Sequence, residues 1–309
     1  MLKRSLVGLG LLASFVGVIT LSYFFAKEIV EVFILLWTIF AAYEMTHSFK
    51  RSGYKVRKIP IILFTLFTYP IIKIVEKVLN KQSADVISVI MLIVCVFISM
   101  VEYTFSKDEE LELKDFMSTI FILVYPLFML HLIFILMQKY NFIFVIVTCV
   151  TIPIFSDAFA YYFGASFGKK KLCPRVSPKK TIAGAIGALV GGLGISVLMY
   201  LMFILYADKV LSRCIDKEML KNLAPFISKA YKGWEWQNAL IFMLMGTLIT
   251  IVSQLGDLVA SKIKRLIGIK DYGHIFPEHG GVMDRLDSII SSCLVVTIFL
   301  TVLGAITTV

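Results

Sequence analysis

Long apolar stretches alternate with short polar segments along almost the whole chain. Most of the stretches approach or exceed the roughly 20 residues that an α-helix needs to cross the hydrocarbon core of a bilayer. Nine are candidates for such spans: 5–25, 29–43, 59–75, 84–105, 116–137, 141–163, 181–206, 238–256 and 288–308. Because lipid cannot satisfy exposed backbone groups, an open chain crosses it only as helices. The pattern therefore predicts an all-α polytopic integral membrane protein with about nine transmembrane helices.

Composition and charge support this fold class and add an orientation. Hydrophobic residues make up 59% of the chain, and the formal net charge is +10. The basic residues concentrate after the second and sixth predicted spans, and cytoplasmic loops of membrane proteins carry an excess of Lys and Arg. With nine spans, both basic loops, the N-terminus and residues 257–287 fall on one side, which we predict to be cytoplasmic. Nucleic-acid binding is not expected, because no soluble domain presents these cations.

The polar segments divide the chain into two predicted parts. Residues 1–140 contain apolar helices with short loops, and we expect the first to be a retained helix rather than a cleaved signal peptide. Residues 141–309 have longer polar segments, including predicted cytoplasmic loops at 164–180 and 257–287. We assign the catalytic region to this second part. Residues 207–237 are predicted to form an interfacial amphipathic helix on the opposite side. Glu44, near the end of the second span, is assigned an interfacial position.

The segment 261–287 interrupts the apolar pattern with a dense group of charges. It combines cations, carboxylates and a Gly pair: Lys262, Lys264, Arg265, Lys270, Arg285, Asp271, Asp284, Asp287, Gly280 and Gly281. Cations bind phosphates, carboxylates hold divalent metals, and glycine lets backbone N–H groups approach an anion closely. His279, beside the Gly pair, is placed to hydrogen-bond a phosphate or a metal-bound water. Since such a group is costly at a membrane surface, we predict phosphoryl-group chemistry on a lipid.

Carboxylates stand at the ends of two successive predicted helices. Asp257, Ser261 and Lys264 are spaced i, i+4 and i+7, so they share a helix face. Asp284 and Asp287 are three residues apart and lead into the ninth span. Oxygen ligands from two helices suit a hard ion such as Mg²⁺, as one ion or two. The alternative for Asp257 is a structural ion pair with Lys264 or Arg265.

A second basic segment precedes the seventh span. Ser177, Lys179, Lys180 and Thr181 place hydroxyl and ammonium groups at a helix N-terminus, where free backbone N–H groups favour an anion. Asp157, near the end of the sixth span, adds a carboxylate on the same predicted side. No HExxH motif is present, so the sequence does not support a zinc peptidase.

These segments are recognisable as a group. The stretch S-K-I-K-R-L-I-G-I-K-D-Y-G-H-I-F-P-E-H-G-G-V-M-D-R-L-D resembles the signature of the phosphatidate cytidylyltransferases, or CDP-diacylglycerol synthases. The segments S-D-A-F-A-Y-Y-F-G and S-P-K-K-T-I-A-G resemble two others of that family, although Ala158 and Phe159 stand where the family has Thr and a small residue. The resemblance is specific over about residues 155–290 and is limited to hydropathy in the N-terminal half.

The resemblance implies an activity and a set of roles. CTP and phosphatidate would condense to CDP-diacylglycerol and pyrophosphate, with Mg²⁺, in phospholipid biosynthesis. Asp257 and Asp284 would be metal ligands, Asp287 would support them, and the cations of the signature would bind the triphosphate. The enzyme would be integral to the membrane, commonly a homodimer, with a lipid-accessible site on the cytoplasmic side. In a prokaryote this would be the cell (inner) membrane.

Two alternatives remain open at this point. A CTP-dependent polyprenol kinase is a membrane enzyme that uses the same nucleotide, but it phosphorylates an alcohol and releases CDP. A membrane transporter would use intramembrane acids to couple ions. A transporter is expected to place such acids near mid-bilayer in symmetry-related halves, whereas the acids here cluster at one predicted surface in one half of the chain.

Overall fold

The computed structural model describes residues 2–78, 83–108, 110–140, 142–206, 236–275 and 280–307, and this part of the chain is almost entirely helical. The helices are α1 (Leu2–Phe24), α2 (Glu28–Arg51), α3 (Lys58–Val78), α4 (Ser83–Thr104), α5 (Leu113–Ile122), α6 (Met129–Lys139), α7 (Phe142–Phe167), α8 (Ile182–Tyr206), α9 (Trp236–Leu266) and α10 (Met283–Thr307). A π-helical turn, Leu123–Phe128, joins α5 to α6.

The helix lengths agree with a membrane protein that crosses the bilayer many times. Eight helical segments in the described residues are long and apolar enough to span it, α5 to α6 acting as one segment over Leu113–Lys139. In α1 the stretch Ala13–Phe24 is apolar but shorter. The all-α polytopic fold is confirmed, and the count of nine is approximate. The interfacial helix predicted at 207–237 lies outside the described residues but for its last two positions, which belong to α9.

The structure differs from the sequence-based prediction at two places near the candidate site. The predicted loop 164–180 contains a two-stranded antiparallel hairpin of β1 (Lys171–Cys173) and β2 (Ser177–Thr181). Helix α9 runs to Leu266 rather than ending near residue 256. Hydropathy locates only the apolar part of a helix, so it underestimates the length of a helix that continues into a polar segment.

The chain groups into two compact units that are not contiguous in sequence. Unit 1 comprises Met1–Ile135 and Lys264–Leu286, and unit 2 comprises Leu136–Ile263 and Asp287–Val309. The charged segment 261–287 is therefore divided between the units: Lys264–Leu286 belong to unit 1, and the residues on either side belong to unit 2. The sequence-based division into 1–140 and 141–309 stays a prediction.

In unit 2, helices α7 and α8 approach closely because glycines face aromatic rings. A Cβ on Gly187 would lie 2.5 Å from Cγ of Phe163, and one on Gly191 would lie 2.7 Å from Cγ of Phe159. Small residues of this kind let helix backbones pack tightly in membranes. At the start of α8 the hydroxyl of Thr181 accepts the N–H of Gly184 at 3.1 Å. This cap fixes the end of β2 against the α7–α8 pair.

In unit 1, two polar linkers are joined by an ion pair. Nζ of Lys55, in the α2–α3 linker, donates to Oδ1 of Asp108 at 2.8 Å and to Glu110 at 3.2 Å. The backbone N–H of Lys55 also donates to Asp115 at the start of α5, at 2.8 Å. These contacts place both linkers at the same end of the helices, as expected if α3 and α4 are consecutive spans.

Candidate active site

Asp284 organises the loop between α9 and α10 in unit 1. Its Oδ1 accepts Nζ of Lys264 at 2.9 Å, and its Oδ2 accepts the backbone N–H groups of Tyr272 at 2.8 Å and Gly281 at 3.0 Å. Gly280 has a φ of +79°, and a Cβ there would lie 2.9 Å from Oδ2 of Asp284. The side chain is only 4% exposed. Glycine is thus required beside this carboxylate for both conformation and space.

Helix α2 and its C-cap residue Ser52 contact the same loop through three side chains spaced by four residues. Oε2 of Glu44 accepts the N–H of Met283 at 2.8 Å. The hydroxyl of Ser48 donates to the carbonyl oxygen of Tyr272 at 2.6 Å, and that of Ser52 donates to the carbonyl oxygen of Ile267 at 2.6 Å. Positions i, i+4 and i+8 share a helix face, so one face of α2 is dedicated to this loop.

Glu44 is the functional candidate that sequence reasoning missed. The interfacial position assigned to it stays a prediction, but its side chain is buried within the protein, being 3% exposed. A Cβ on Gly273 or on Gly281 would overlap the Glu44 carboxylate, so both glycines are needed to admit it. No hydrogen-bond partner is found for its buried Oε1 within the described residues. The polar row Glu44, Ser48 and Ser52 on an apolar helix was the available clue.

Asp257 lies on α9 in unit 2, and its ion-pair partner is neither Lys264 nor Arg265, the two partners that the sequence suggested. Its Oδ2 forms an ion pair with Nζ of Lys180 from β2, and both side chains are 26% exposed. The hydroxyl of Ser261, one turn further along α9, donates to Oδ1 at 3.4 Å. The hairpin therefore places the ammonium group of Lys180 beside the Asp257 carboxylate.

Asp287 lies one turn after Asp284 on α10 and is 8% exposed. Its Oδ1 accepts the backbone N–H of Ser288 at 2.9 Å. The neighbour of Asp257, Gly256, is in such close contact with α10 that a Cβ there would overlap Ser291 and lie 3.3 Å from the carbonyl oxygen of Asp287. Helices α9 and α10 thus approach each other closely at Gly256 in unit 2.

The remaining predicted residues lie in several surroundings. Nη1 of Arg265 donates to the carbonyl oxygen of Ile269 at 3.2 Å. Thr181 is buried in its capping role. Ser177 and Asp271 are half-buried. The exposed residues are Asp157, Lys179, Lys262, Lys270 and Arg285. His279 lies outside the described residues.

Asp257 in unit 2 and Asp284 in unit 1 each offer oxygen atoms of the kind that suits a hard divalent ion bound together with a substrate. Among the described residues, no group of three or more His, Cys, Asp or Glu side chains gathers into a metal cluster. Mg²⁺ is often bound by one or two carboxylates plus substrate phosphates rather than by an all-protein cage. Asp257 and Asp284 each carry an ammonium group on one oxygen. A carboxylate has about four acceptor positions. Asp257 also accepts the Ser261 hydroxyl, and Asp284 also accepts two backbone N–H groups, so both retain capacity for a cation and Asp284 retains less of it.

The chain matches the model of the cytidylyltransferase family over residues 2–303. It belongs to that family. Relatives named phosphatidate cytidylyltransferase include one from Aquifex aeolicus (strain VF5), 32% identical over 182 residues, covering 59% of this chain and 56% of that protein. One from Mycobacterium leprae (strain TN) is 29% identical over 304 residues, covering 93% of this chain and 84% of that protein.

A third relative of the same name, from Mycobacterium bovis (strain ATCC BAA-935 / AF2122/97), is 35% identical over 158 residues, covering 51% of this chain and 42% of that protein. The chain thus spans about half the length of the A. aeolicus and M. bovis relatives it matches. The whole-length match to the family includes the N-terminal helices, where the sequence alone offered only a resemblance in hydropathy.

Proposed function

We propose that this chain is a phosphatidate cytidylyltransferase that transfers CMP from CTP to phosphatidate. An oxygen of the phosphatidate phosphate bonds to the α-phosphorus of CTP. The bond from that phosphorus to the oxygen bridging to the β-phosphate breaks, and its electron pair leaves with pyrophosphate. The products are CDP-diacylglycerol and pyrophosphate. The attacking phosphate is already anionic near neutral pH, so no strong general base is required.

The observation that carries this proposal is the folded form of the charged segment in a member of the cytidylyltransferase family. Asp284 and Glu44 fix the loop by accepting backbone N–H groups of Tyr272, Gly281 and Met283. Lys270 in this loop and Arg285 beside it remain exposed. A loop of fixed shape with exposed cations suits a polyphosphate, because its charge can be met without rearrangement at the moment of reaction.

Catalysis of this kind depends on alignment and on neutralisation of charge. We assign triphosphate binding to Lys264, Arg265, Lys270 and Arg285 of the signature. A second group from the hairpin segment is assigned with them: Ser177, Lys179, Lys180 and Thr181. The pair between Lys180 and Asp257 supports this, because a triphosphate competes for the ammonium and frees a carboxylate oxygen.

We further propose that Asp257 and Asp284 are ligands of Mg²⁺, with Asp287 in support. Bound Mg²⁺ would neutralise the charge that develops on the phosphates. The carboxylates and the Ser261 hydroxyl are oxygen donors, which this ion prefers. We also propose that the site opens to the cytoplasmic side, where nucleotides are found, and that the enzyme is a homodimer.

The test is product analysis with purified full-length protein, labelled CTP and phosphatidate vesicles. We expect CDP-diacylglycerol and pyrophosphate in equal amounts, only when CTP, phosphatidate and a divalent ion are all present. Chelation with EDTA should abolish the product, and added Mg²⁺ should restore it. Release of CDP with a phosphorylated polyprenol, and no pyrophosphate, would contradict the proposal in favour of the kinase. No product from either acceptor would contradict both.

A further inference from the structure

An apolar groove runs between helices α2 and α3 in unit 1. Its volume is about 360 Å³, and its walls include Ile39 and Ala42 on α2 with Ile61, Ile62 and Leu66 on α3. Ile62 and Leu66 are 48% and 46% exposed. In a bilayer such surfaces face hydrocarbon, so an acyl chain in this groove loses no polar contact.

Basic side chains stand at one end of this groove. His47 and Lys50 near the end of α2, and Lys58 at the start of α3, line the same cavity, and all three are exposed. The linker 52–57 between the two helices is short, which is why Lys50 and Lys58 lie at the same end. The groove is therefore amphiphilic, with an apolar length and a cationic end.

The cations of this linker fall into two classes. Lys55 is ion-paired with Asp108 and Glu110. Its ammonium group lowers the pKa of the Asp108 carboxyl, and Asp108 raises the pKa of Lys55 through the same hydrogen bond. No carboxylate pairs with Lys50 or Lys58 anywhere in the part of the chain that the structure describes. Two unpaired ammonium groups beside an apolar groove suit an anionic ligand with an apolar tail.

A second cavity of about 670 Å³, with both polar and apolar walls, adjoins the basic end of the groove. It lies between the end of α2 and the loop residues 267–275, and its walls include Arg51, Lys270 and His274. Tyr43 and His47 line both cavities. Their rings stack with centroids 5.8 Å apart, so together they form one shared wall. A ligand anchored in the groove would present its head group beside the loop that carries the signature cations.

We propose that the α2–α3 groove binds the acceptor lipid, a diacyl phosphate monoester, with an acyl chain along Ile61, Ile62 and Leu66 and the phosphate at Lys50 and Lys58. His47 donates a further hydrogen bond at the junction with the second cavity. The choice of phosphatidate as ligand rests on the proposed function. The N-terminal half of the chain would thus supply the lipid site.

The first test measures lipid binding without catalysis. Full-length protein in phosphatidylcholine vesicles is exposed to photoactivatable phosphatidate with no CTP, and the labelled peptides are identified. We expect labelling on α2 and α3, reduced about tenfold or more in the double variant Lys50→Ala/Lys58→Ala, because both charge-assisted hydrogen bonds to the phosphate are lost. The matched control Lys55→Ala/Lys107→Ala removes the same charge outside both cavities and should retain labelling. Equal labelling of the two double variants, or labelling confined to other helices, would overturn the proposal.

A second pair of variants tests the apolar part of the site. Ile62→Trp fills the groove, whereas Ile59→Trp places the same ring at an exposed position of α3 that lines neither cavity. Only Ile62→Trp should reduce labelling. Excess unlabelled phosphatidate should compete strongly, and phosphatidylglycerol, a phosphodiester, should compete weakly; equal competition would overturn the assignment of a monoester.

Activity measurements separate this proposal from the proposed function. The Lys50→Ala/Lys58→Ala variant should raise KM for phosphatidate and leave KM for CTP unchanged. If the wild-type chain binds phosphatidate in the groove but forms no CDP-diacylglycerol, the lipid site stands and the proposed function fails. If CDP-diacylglycerol forms with the same KM for phosphatidate in this variant and in wild type, the function stands and the lipid site is overturned.

Discussion

Asp257 and Asp284 carry the same side chain and the same proposed role, but their surroundings differ. Asp257 is partly exposed and meets one ammonium and one hydroxyl group. Asp284 is almost fully buried and holds two backbone N–H groups in addition to Lys264. We therefore expect loss of charge at Asp257 to leave the loop structure intact, and loss of charge at Asp284 to disturb it. Substitution should therefore separate metal binding from folding.

We expect Asp257→Asn to reduce turnover by orders of magnitude with little change in thermal stability, because the counter-charge to the phosphates is lost. Asp284→Asn should reduce turnover similarly and also lower stability, by about 1–3 kcal/mol, because one of its hydrogen-bond acceptors becomes a donor. The losses in turnover should be far from additive in the double variant. Rates across a Mg²⁺ titration, with unfolding followed in detergent, measure both effects.

Lys179→Ala serves as the milder comparison, because it removes an exposed positioning cation and should mainly raise KM for CTP. Near-normal turnover in a folded Asp284→Asn protein would contradict its assignment as a metal ligand. The pairs Lys180–Asp257 and Lys264–Asp284 would then be structural ion pairs.

Glu44 offers a second prediction at the residue scale, since it acts on the loop from a different part of the chain. Glu44→Ala should destabilise the protein by about 1–3 kcal/mol and reduce turnover, because the buried N–H of Met283 loses its acceptor. Glu44→Gln keeps an acceptor oxygen and the shape of the side chain, so it should recover part of the loss. The control is Glu28→Ala, at an exposed position of the same helix. An equal, small effect of both alanine substitutions would contradict the role of Glu44.

At the scale of elements, the α7–α8 pair positions the hairpin that carries Lys180. Gly187 and Gly194 lie on the same helix in opposite situations. A Cβ on Gly187 would come within 2.9 Å of the backbone oxygen of Phe159, whereas nothing lies within 4 Å of one on Gly194. Alanine substitutions at the two positions therefore distinguish the effect of helix propensity on stability from the effect of packing.

We expect Gly187→Ala to lower stability by about 1–3 kcal/mol through overpacking. Gly194→Ala should be neutral or stabilising, by up to about 1 kcal/mol, because alanine favours the helix more than glycine does. Thermal unfolding in detergent measures both, and CTP affinity should fall only for Gly187→Ala. Similar stability of the two variants would show that the close α7–α8 contact does not determine the position of the hairpin.

At the scale of the whole molecule, the predicted nine-span topology assigns each loop to a side of the membrane. The Lys55–Asp108 pair supports a shared side for the α2–α3 and α4–α5 linkers. In a cysteine-free background, Lys107→Cys and Lys170→Cys should be labelled by a membrane-impermeant reagent from the cytoplasmic side. Ala26→Cys, in the α1–α2 linker, should be labelled only from the other side. Labelling of all three from one side would contradict the topology.

The sequence by itself determined the fold class, the approximate spans and the charged segment 261–287. These follow from local composition. The bilayer requires long apolar helices, and a cluster of charges at its surface is costly enough to indicate a functional site. It also indicated that Asp257 and Ser261 share a helix face, which the i, i+4 spacing dictates.

Only the tertiary structure decided the partners of each charge. Sequence spacing offered Lys264 or Arg265 as the partner of Asp257, but its ammonium comes from Lys180 on a hairpin that hydropathy read as a loop. The burial of Glu44 against Gly273 and Gly281 joins positions more than two hundred residues apart in the chain. Hydropathy and helical periodicity describe one segment at a time, so they carry no information about which distant segment supplies a hydrogen bond.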